Sequence, residues 1–472
     1  MMKKQKKMII YSGLLLLLIL GSSSYILAWT LHMQKGLSQW DPTKASEGYV
    51  IMSVRSLGKT ILVDINGNIV RMWDGSGQEM LPPELAKGEK GHVLVTKGMM
   101  NQGSVLQERD WDNNVVWEHD FKGQLQQHHD WQKLPNGNYL ILSYADVPKE
   151  KVPATFYGIG IKGEKPVTMS SPMYGDRITE VTPNGEIVWD WMGYDHLDLQ
   201  KVCGFCIDRG DWTHFNAIHY CTNPGYEGKV LASNRHHNEI IMIDQKTGDI
   251  VWRWGEDVLG HQHDVQMIDP GLPGEGNILV FDNGHHSEAG SSNSAIYEVD
   301  PKTNNTVWTY KPGETFRSWH ISGCQRLENG NTLITEGENG RIFEVTKEGE
   351  IVWEYNNPFY EAMQAGPPGQ GGMQQGGRQG GEAGARGGMQ GEPAGQGGMP
   401  GGMQGGGPPG GVGLLDGSVF KARKVPTSWV PESIELSPEL LEAAALRSKA
   451  RTAFDDAESL TEKANQVIKN IK

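Results

Sequence analysis

One phrase recurs along this chain, a turn followed by apolar residues and a tryptophan, and it constrains the fold more than any other feature. Self-similarity of this kind, at intervals of roughly 45 to 70 residues, is typical of a β-propeller, whose blades are four-stranded units of about that length. We therefore predict an all-β chain folded as a six-bladed β-propeller, with most of these indoles packed between blades. The copies are NGNIVRMW ending at Trp73, DNNVVW at Trp117, NGEIVW at Trp189, TGDIVW at Trp252, TNNTVW at Trp308 and EGEIVW at Trp353.

Each unit contains further strand-like segments before the recurring phrase. In the sixth unit these are HISGCQRL (320–327), NTLITEG and GRIFEVT, followed by EIVWEY, with short Gly or Asn turns of the hairpin type. We label the four strands A to D, with A innermost around the channel. The first unit has strands B, C and D only. GSVFKARKV (417–425) is the strand-like segment left over, so we predict that it supplies the missing strand A and closes the ring.

Composition divides the rest of the 472 residues. A Gly-, Met-, Gln- and Pro-rich stretch has too little apolar content to offset the entropy of ordering, which predicts a disordered loop. The final residues read as amphipathic helices capped by Ser437. The predicted organisation is a signal anchor or signal peptide over 1–32, a linker over 33–47, the propeller over 48–364, the disordered loop over 365–416, the closing strand over 417–430 and a helical tail over 431–472.

The N-terminal segment predicts export. Four lysines precede an uncharged apolar run from Met8 to about Leu31, long enough to span a bilayer with its positive flank in the cytoplasm. An uncleaved transmembrane anchor is our preferred interpretation, which would place the propeller outside the cytoplasm and make the membrane a partner. The GSSS sequence also fits a cleavable leader, and the protein would then be periplasmic or secreted. The formal net charge of -14 argues against a nucleic-acid partner.

Four cysteines leave several possibilities open. Cys203 and Cys206 could close a small loop, or either could pair with Cys221, since an exported chain permits disulfides. A zinc site that combines these cysteines with His214 or His219 matches no standard ligand spacing. Haem attachment at this position is excluded because Ile207 stands where a histidine would have to follow.

Histidines begin the innermost strands of four neighbouring units: His129, His214, His263 and His320. Strand B runs antiparallel to strand A, so the polar residues that end each strand B lie at the same mouth of the channel. A cluster of Arg, His and amide donors suits a sulfate- or phosphate-like oxyanion. A His-rich metal centre is the competing interpretation. The additional binding candidates at these strand ends are Asn216, Arg235, Asn283, His286 and Arg341.

Three ordered motifs resemble those of the nucleotide-independent bacterial aryl-sulfate sulfotransferases: WTHFNAIHY (212–220), GHQHDVQMI with NILVFDNG (260–284), and SGCQRLENGNTLITEG (322–337). The resemblance covers roughly residues 48–355 together with 419–429. It implies a six-bladed propeller that moves a sulfuryl group from an aryl sulfate ester to a phenolic acceptor through a sulfated histidine, without a cofactor. It also implies that His214 with Asn216, and His263 beside Gln262, hold the sulfuryl oxygens or handle the phenolic proton.

Two positions depart from the family pattern. The family arginine after DNG falls at about His286 or Ser287, and the family nucleophilic histidine falls on or near Arg341. His320 is our candidate for the substitute nucleophile, and Arg235 or Arg341 for the positive charge. The alternatives are a catalytically inactive, membrane-anchored binding propeller, a quinoprotein of the PQQ type, for which six units are too few, and the His-based metal site.

Overall fold

A computed structural model of the chain confirms the six-bladed β-propeller, with few helices. It describes residues 35–54, 57–75, 84–85, 89–97, 105–121, 123–159, 165–166, 172–204, 206, 210–285, 293–359 and 417–431. The predicted N-terminal anchor over 1–32, the predicted loop over 365–416 and the helical tail beyond residue 431 lie outside these residues. No helix within the described ranges is long and apolar enough to cross a membrane.

Each blade is an antiparallel sheet whose strands follow one another from the channel outward. In the second blade these are β5 (Glu84–Leu85), β6 (Val93–Lys97), β7 (Val105–Arg109) and β8 (Val115–Asp120). In the third they are β9 (Gln126–Lys133), β10 (Tyr139–Asp146), β13 (Tyr174–Val181) and β14 (Ile187–Met192). In the fourth they are β16 (Phe215–Tyr220), β17 (Lys229–Asn234), β18 (Glu239–Asp244) and β19 (Ile250–Trp254). In the fifth they are β20 (His263–Met267), β21 (Ile278–Asp282), β22 (Ala295–Asp300) and β23 (Asn305–Tyr310).

The first and sixth blades contain the two ends of the propeller sequence. The first blade is β28 (Ala422–Val425), β2 (Tyr49–Val54), β3 (Lys59–Val63) and β4 (Ile69–Asp74). The sixth is β24 (Gly323–Arg326), β25 (Thr332–Glu336), β26 (Arg341–Val345), β27 (Ile351–Asn356) and, outermost, β1 (Gly36–Trp40). Within the segment GSVFKARKV, β28 pairs antiparallel with β2 as the innermost strand of the first blade. The segment predicted as a linker over 33–47 differs from expectation, because it contains β1.

The recurring tryptophans hold neighbouring blades together, as predicted. Each buried or half-buried indole donates its Nε1 hydrogen to the following blade, which satisfies the polar atom of an otherwise apolar side chain. In the third blade this role falls to Trp191, two residues beyond the motif tryptophan. The contacts run from Trp73 to Asp110 O, Trp117 to Pro183 O, Trp191 to Gly248 O, Trp252 to Asn304 Oδ1, Trp308 to Lys347 O and Trp353 to Ile65 O, at 2.7–3.0 Å.

The third blade has an insertion between its second and third strands. It contains β11 (Thr155–Ile159) and β12 (Lys165–Pro166), and β11 pairs in parallel with β15 (Lys201–Cys203), which follows β14 and the single helical turn Gly193–His196. This small sheet lies beside the mouth of the channel, because β15 leads to residues 211–214 at the start of β16 and contacts the turn Arg235–His237.

Candidate active site

The innermost strands are irregular where they begin. His129, His214, His261 and Asp264 have positive φ angles of 51–57°, a region that residues other than glycine seldom occupy. The pairing register shifts near the start of β9, β16 and β20, which marks a β-bulge in each strand. Bulges re-aim side chains, and such strain is found most often at functional sites. Here they gather histidines from three blades at one mouth.

Asp211 orients two of these histidines. Its carboxylate Oδ2 makes a very short contact with Nδ1 of His214, and its backbone oxygen lies 3.0 Å from Nδ1 of His236. The two imidazoles stack on each other with ring centroids 4.8 Å apart. Asp211 is itself anchored, because the adjoining Trp212 donates its backbone N–H to Tyr174 O at 2.9 Å. Asp211 was not among the residues that the sequence had singled out, whereas His236 stood among the polar residues that end the strands at this mouth.

His263 belongs to the same mouth. Its Nδ1 lies 2.7 Å from Oδ1 of Asn283, and Asn283 donates its amide Nδ2 to Ser318 O at 2.7 Å. The amide is therefore fixed with its oxygen toward the imidazole, so Nδ1 carries the hydrogen and Nε2 carries the lone pair. Burial lowers the pKa of His263 well below its ordinary value, with a further contribution from Arg235. His263 is consequently a neutral base.

His129 is fixed by a similar relay. Its Nδ1 lies 2.8 Å from Nδ1 of His128, whose Nε2 is 3.0 Å from Asp176 Oδ1, close in distance but not aligned as a hydrogen bond. Asp176 also accepts hydrogen bonds from Thr213 Oγ1 and from Phe215 N. The Asp176 carboxylate favours the tautomer of His128 that carries its hydrogen on Nε2. In that tautomer, Nδ1 of His128 accepts a hydrogen bond from Nδ1 of His129. Burial lowers the pKa of His129 well below its ordinary value, and the nearby His214 adds to this effect.

Phe420 forms the floor between these groups. Its ring lies 5.9 Å from that of His129 and 5.7 Å from that of His263, measured between centroids, and His129 lies 4.9 Å from His214. Phe420 precedes the closing strand β28, so the two ends of the chain must meet before the floor exists. The sequence placed residues 417–425 in the ring but gave no signal that Phe420 would contact the histidines.

Of the remaining predicted site residues, Arg235 and His320 lie near the mouth. Arg235, in the turn after β17, is close enough to disfavour the charged forms of His129 and His263. His320 lies before β24 rather than on it, with 36% of its side chain exposed and its Nδ1 3.7 Å from Glu338 Oε1. A positive charge on His320 would lower the pKa of His263, so the two imidazoles lie at the same rim. His286 lies outside the described residues.

Arg341 is bound elsewhere, in the sixth blade. Its Nη1 donates to Glu336 Oε2 at 3.0 Å and its Nε to Glu354 Oε2 at 2.8 Å, and the side chain is buried. Two carboxylates thus bind the guanidinium that we had predicted to bind the substrate. The predicted role of Arg341 in binding stays a prediction, but the structure gives it a structural one.

Asn216 connects the fourth and fifth blades. Its Nδ2 donates to Gln262 O at 2.8 Å, and its Oδ1 is buried with no hydrogen-bond partner in the described part of the chain. Gln262 in turn donates to the backbone oxygens of Asn234 and Glu239. The HxN and QH elements of the sequence therefore hold the frame of the mouth together, which fixes where His214 and His263 lie.

Cys203 and Cys206 form a disulfide beside the mouth, which decides between the pairings that the sequence left open. Cys221 and Cys324 are buried and lie outside this disulfide. The two bonded sulfurs lie 3.8 and 3.7 Å from Nε2 of His261, and the His261 ring lies 5.5 Å from that of His236.

The sequence profile of one protein family, described as arylsulfotransferase (ASST), matches residues 35–258. Comparison with curated proteins gives no match. Solved structures with a similar path include a protein of unknown function from Bacteroides caccae, at 14% identity, TM-score 0.39, and coverage of 66% of this chain and 94% of that one. A streptogramin B lyase is 12% identical, with TM-score 0.38 and coverage of 68% and 82%. These TM-scores are too low to bear on function.

Proposed function

We propose, from the match of residues 35–258 to the arylsulfotransferase family, that the protein transfers a sulfuryl group from an aryl sulfate ester to a phenolic acceptor through a histidine intermediate. A sulfotransferase-like function follows from the family and the propeller fold. The histidine intermediate and the two substrates are our proposal. The observation that carries it is the convergence of His129, His214 and His263 on one mouth above Phe420.

The first half of the reaction needs an unprotonated nitrogen and a positive charge. We assign the nucleophile to His320, whose Nδ1 faces Glu338 so that Nε2 is the attacking atom. Its lone pair forms an N–S bond with the sulfuryl sulfur, and the bond between sulfur and the aryl oxygen breaks, leaving its electron pair on the phenolate. Arg235 neutralises charge on the sulfuryl oxygens, as a preorganised cation does in a partly buried site.

The second half returns the group to a new phenol. The His214 imidazole, held by the Asp211 carboxylate, takes the proton from the acceptor hydroxyl, and the phenolate oxygen attacks sulfur while the N–S bond breaks. His214 then gives this proton to the phenolate that leaves in the next cycle, so the overall reaction is balanced. His263 is a second neutral base at the same mouth, with its Nδ1 hydrogen fixed by Asn283.

Mass spectrometry of the intact protein after incubation with a chromogenic aryl sulfate tests the proposal. We expect a gain of one sulfuryl group at neutral or higher pH, its loss when a phenol is added, and no gain in His320→Ala. His263→Ala should still be labelled but turn over about 10² to 10⁴ times more slowly, the usual effect of losing an acid or base. His219→Ala, in which a histidine far along β16 is replaced, is the matched control.

Two results would contradict the transfer proposal or its choice of nucleophile. If the wild type neither gains this mass nor releases phenol from a panel of aryl sulfates, the transfer proposal is wrong and the propeller is a binding module. Labelling that persists in His320→Ala but is lost in His263→Ala would make His263 the nucleophile. We also propose, from the N-terminal sequence alone, that the propeller works outside the cytoplasm. Fractionation of cells would test that location.

A further inference from the structure

We propose that Asp211, His214 and His236 form a binding site for one divalent transition-metal ion, for which zinc is the probe. One potential ligand atom from each residue lies within 4.8 Å of the other two. Imidazole and carboxylate are ligands that zinc and its neighbours in the first transition row share. The claim concerns binding, and its test does not depend on the transfer reaction.

The chemistry of His236 is the first argument. Its Nδ1 lies 3.0 Å from the backbone oxygen of Asp211, which can only accept, so Nδ1 carries the hydrogen and Nε2 the lone pair. Metal-bound histidines commonly have the other ring nitrogen held in this way by a carbonyl or a carboxylate.

The second argument is that the Asp211 and His236 side chains present hydrogen-bond acceptors, in contrast to Arg235, which supplies the positive charge for the sulfuryl group. His236, like His263, directs its ring hydrogen at a protein oxygen and keeps a lone pair on the other nitrogen. Neutral imidazoles fixed in this tautomer accept hydrogen bonds and do not donate them at Nε2. The Asp211 carboxylate and the imidazoles of His214 and His236 therefore offer electron pairs to a cation.

The site is also held in place before any ion arrives. Asp211 is bridged to the start of β13 at Tyr174, and His236 donates its backbone N–H to Thr213 O at 3.0 Å. The three ligands need only small side-chain movements, because metal bonds of about 2.0–2.2 Å at tetrahedral angles separate ligand atoms by roughly 3.4 Å. His214 is 20% exposed at the mouth, which gives an ion a route of entry and leaves one coordination position for a small ligand.

The nearby Cys203–Cys206–His261 group is a distinct set of potential ligands. Its sulfurs are joined in a disulfide, and a disulfide sulfur is a poor ligand compared with a thiolate. We therefore assign the metal to the carboxylate and imidazole set. A metal on His214 would prevent this imidazole from accepting a phenolic proton, so zinc-loaded protein should transfer sulfuryl groups slowly or not at all.

Equilibrium dialysis of the chelator-treated full chain against zinc tests the site. We expect about one ion per chain in the wild type, with affinity reduced by at least 10-fold in Asp211→Asn and in His236→Ala. His219→Ala, the matched histidine control, should bind as the wild type does. Asp211→Asn retains the backbone oxygen that holds His236, and thermal melts of each variant show that it is folded.

Two further measurements distinguish the site from its competitors. Arg235→Gln should tighten zinc binding, because Arg235 adjoins His236 in the turn Arg235–His237 and its positive charge opposes a cation there, whereas an anion site would lose affinity for sulfate in the same variant. Cobalt in place of zinc should give visible absorption without a sulfur charge-transfer band. Absence of stoichiometric zinc, unchanged affinity in Asp211→Asn, or loss of zinc in Cys203→Ser with retention in His236→Ala would overturn the proposal.

Discussion

Met52 lies directly opposite Ala422 in one antiparallel ladder, although the two residues stand near opposite ends of the propeller sequence. The same strand is tied to the sixth blade, because Ala422 donates its backbone N–H to Thr335 Oγ1 at 3.0 Å. Close approach is essential there, since a Cβ on Gly323 would lie 2.5 Å from the Cβ of Lys421. The first and sixth blades are therefore joined by β28, which is also the strand that follows Phe420 beneath the histidines.

Deletion of residues 417–425 should abolish the cooperative thermal transition. The deletion removes the innermost strand of the first blade and leaves Asp264 without Arg423 and Lys421, two cations that it contacts at 2.6 and 3.2 Å. Circular dichroism melts would measure the effect. A transition near the wild-type midpoint would show that β28 does not hold the ring closed.

Trp40→Ala should lower the free energy of unfolding by about 3–5 kcal/mol, the usual effect of removing a large buried aromatic side chain. Trp40 lies on β1, is 3% exposed and packs in the cluster that includes Tyr355. Val307→Ala, at an outer strand that no further strand covers, is the control and should change stability by less than about 0.5 kcal/mol. Equal effects of the two substitutions on the free energy of unfolding in urea would show that β1 does not stabilise the sixth blade.

Arg341→Met should destabilise the protein by about 3–5 kcal/mol, because Glu336 and Glu354 would be left buried without their cation. Lys44→Met breaks an exposed pair with Glu350 and should leave stability nearly unchanged, because water screens the pair. If Arg341→Met melts normally but binds aryl sulfate weakly, then Arg341 serves the substrate and not the blade.

Asp282→Asn should remove part of the pH dependence of stability. Burial raises the pKa of Asp282 to about 6, above its ordinary value of 3.8, although it accepts hydrogen bonds from Gly260 N and Gly284 N. The folded protein therefore binds the proton more tightly, and this contribution is complete below pH 3.8 and is lost as the pH rises through 6. The difference amounts to about 3 kcal/mol.

Urea unfolding of the wild type and of Asp282→Asn at several pH values between 4 and 8 would measure this effect. The wild type should lose stability relative to the variant as the pH increases over that range. A stability difference that stays constant with pH would mean that Asp282 is ionised throughout.

The sequence by itself determined the architecture, because each copy of the repeated motif corresponds to one copy of a repeated structural unit. Turn residues, alternating apolar positions and one tryptophan per unit specify a blade with no reference to its neighbours, so the six blades and the missing first strand could be counted directly. The histidines at the start of the inner strands could be placed at one mouth for the same reason, since strand order and direction follow from the hairpins.

Tertiary structure alone decided which of these side chains meet and in what chemical state. Asp211 and His236 lie on different connections, and their partnership depends on a bridge to Tyr174 and a backbone bond to Thr213, neither of which has a pattern in the sequence. The sequence predicted Arg341 as a cation for the substrate, but its guanidinium donates a hydrogen bond to Glu354 on the next strand. Burial and hydrogen-bond partners fix protonation, and both are set by contacts between residues distant in the chain. The sequence therefore predicted a candidate site at this mouth, and only the folded arrangement fixed the hydrogen on Nδ1 of His236 and of His263.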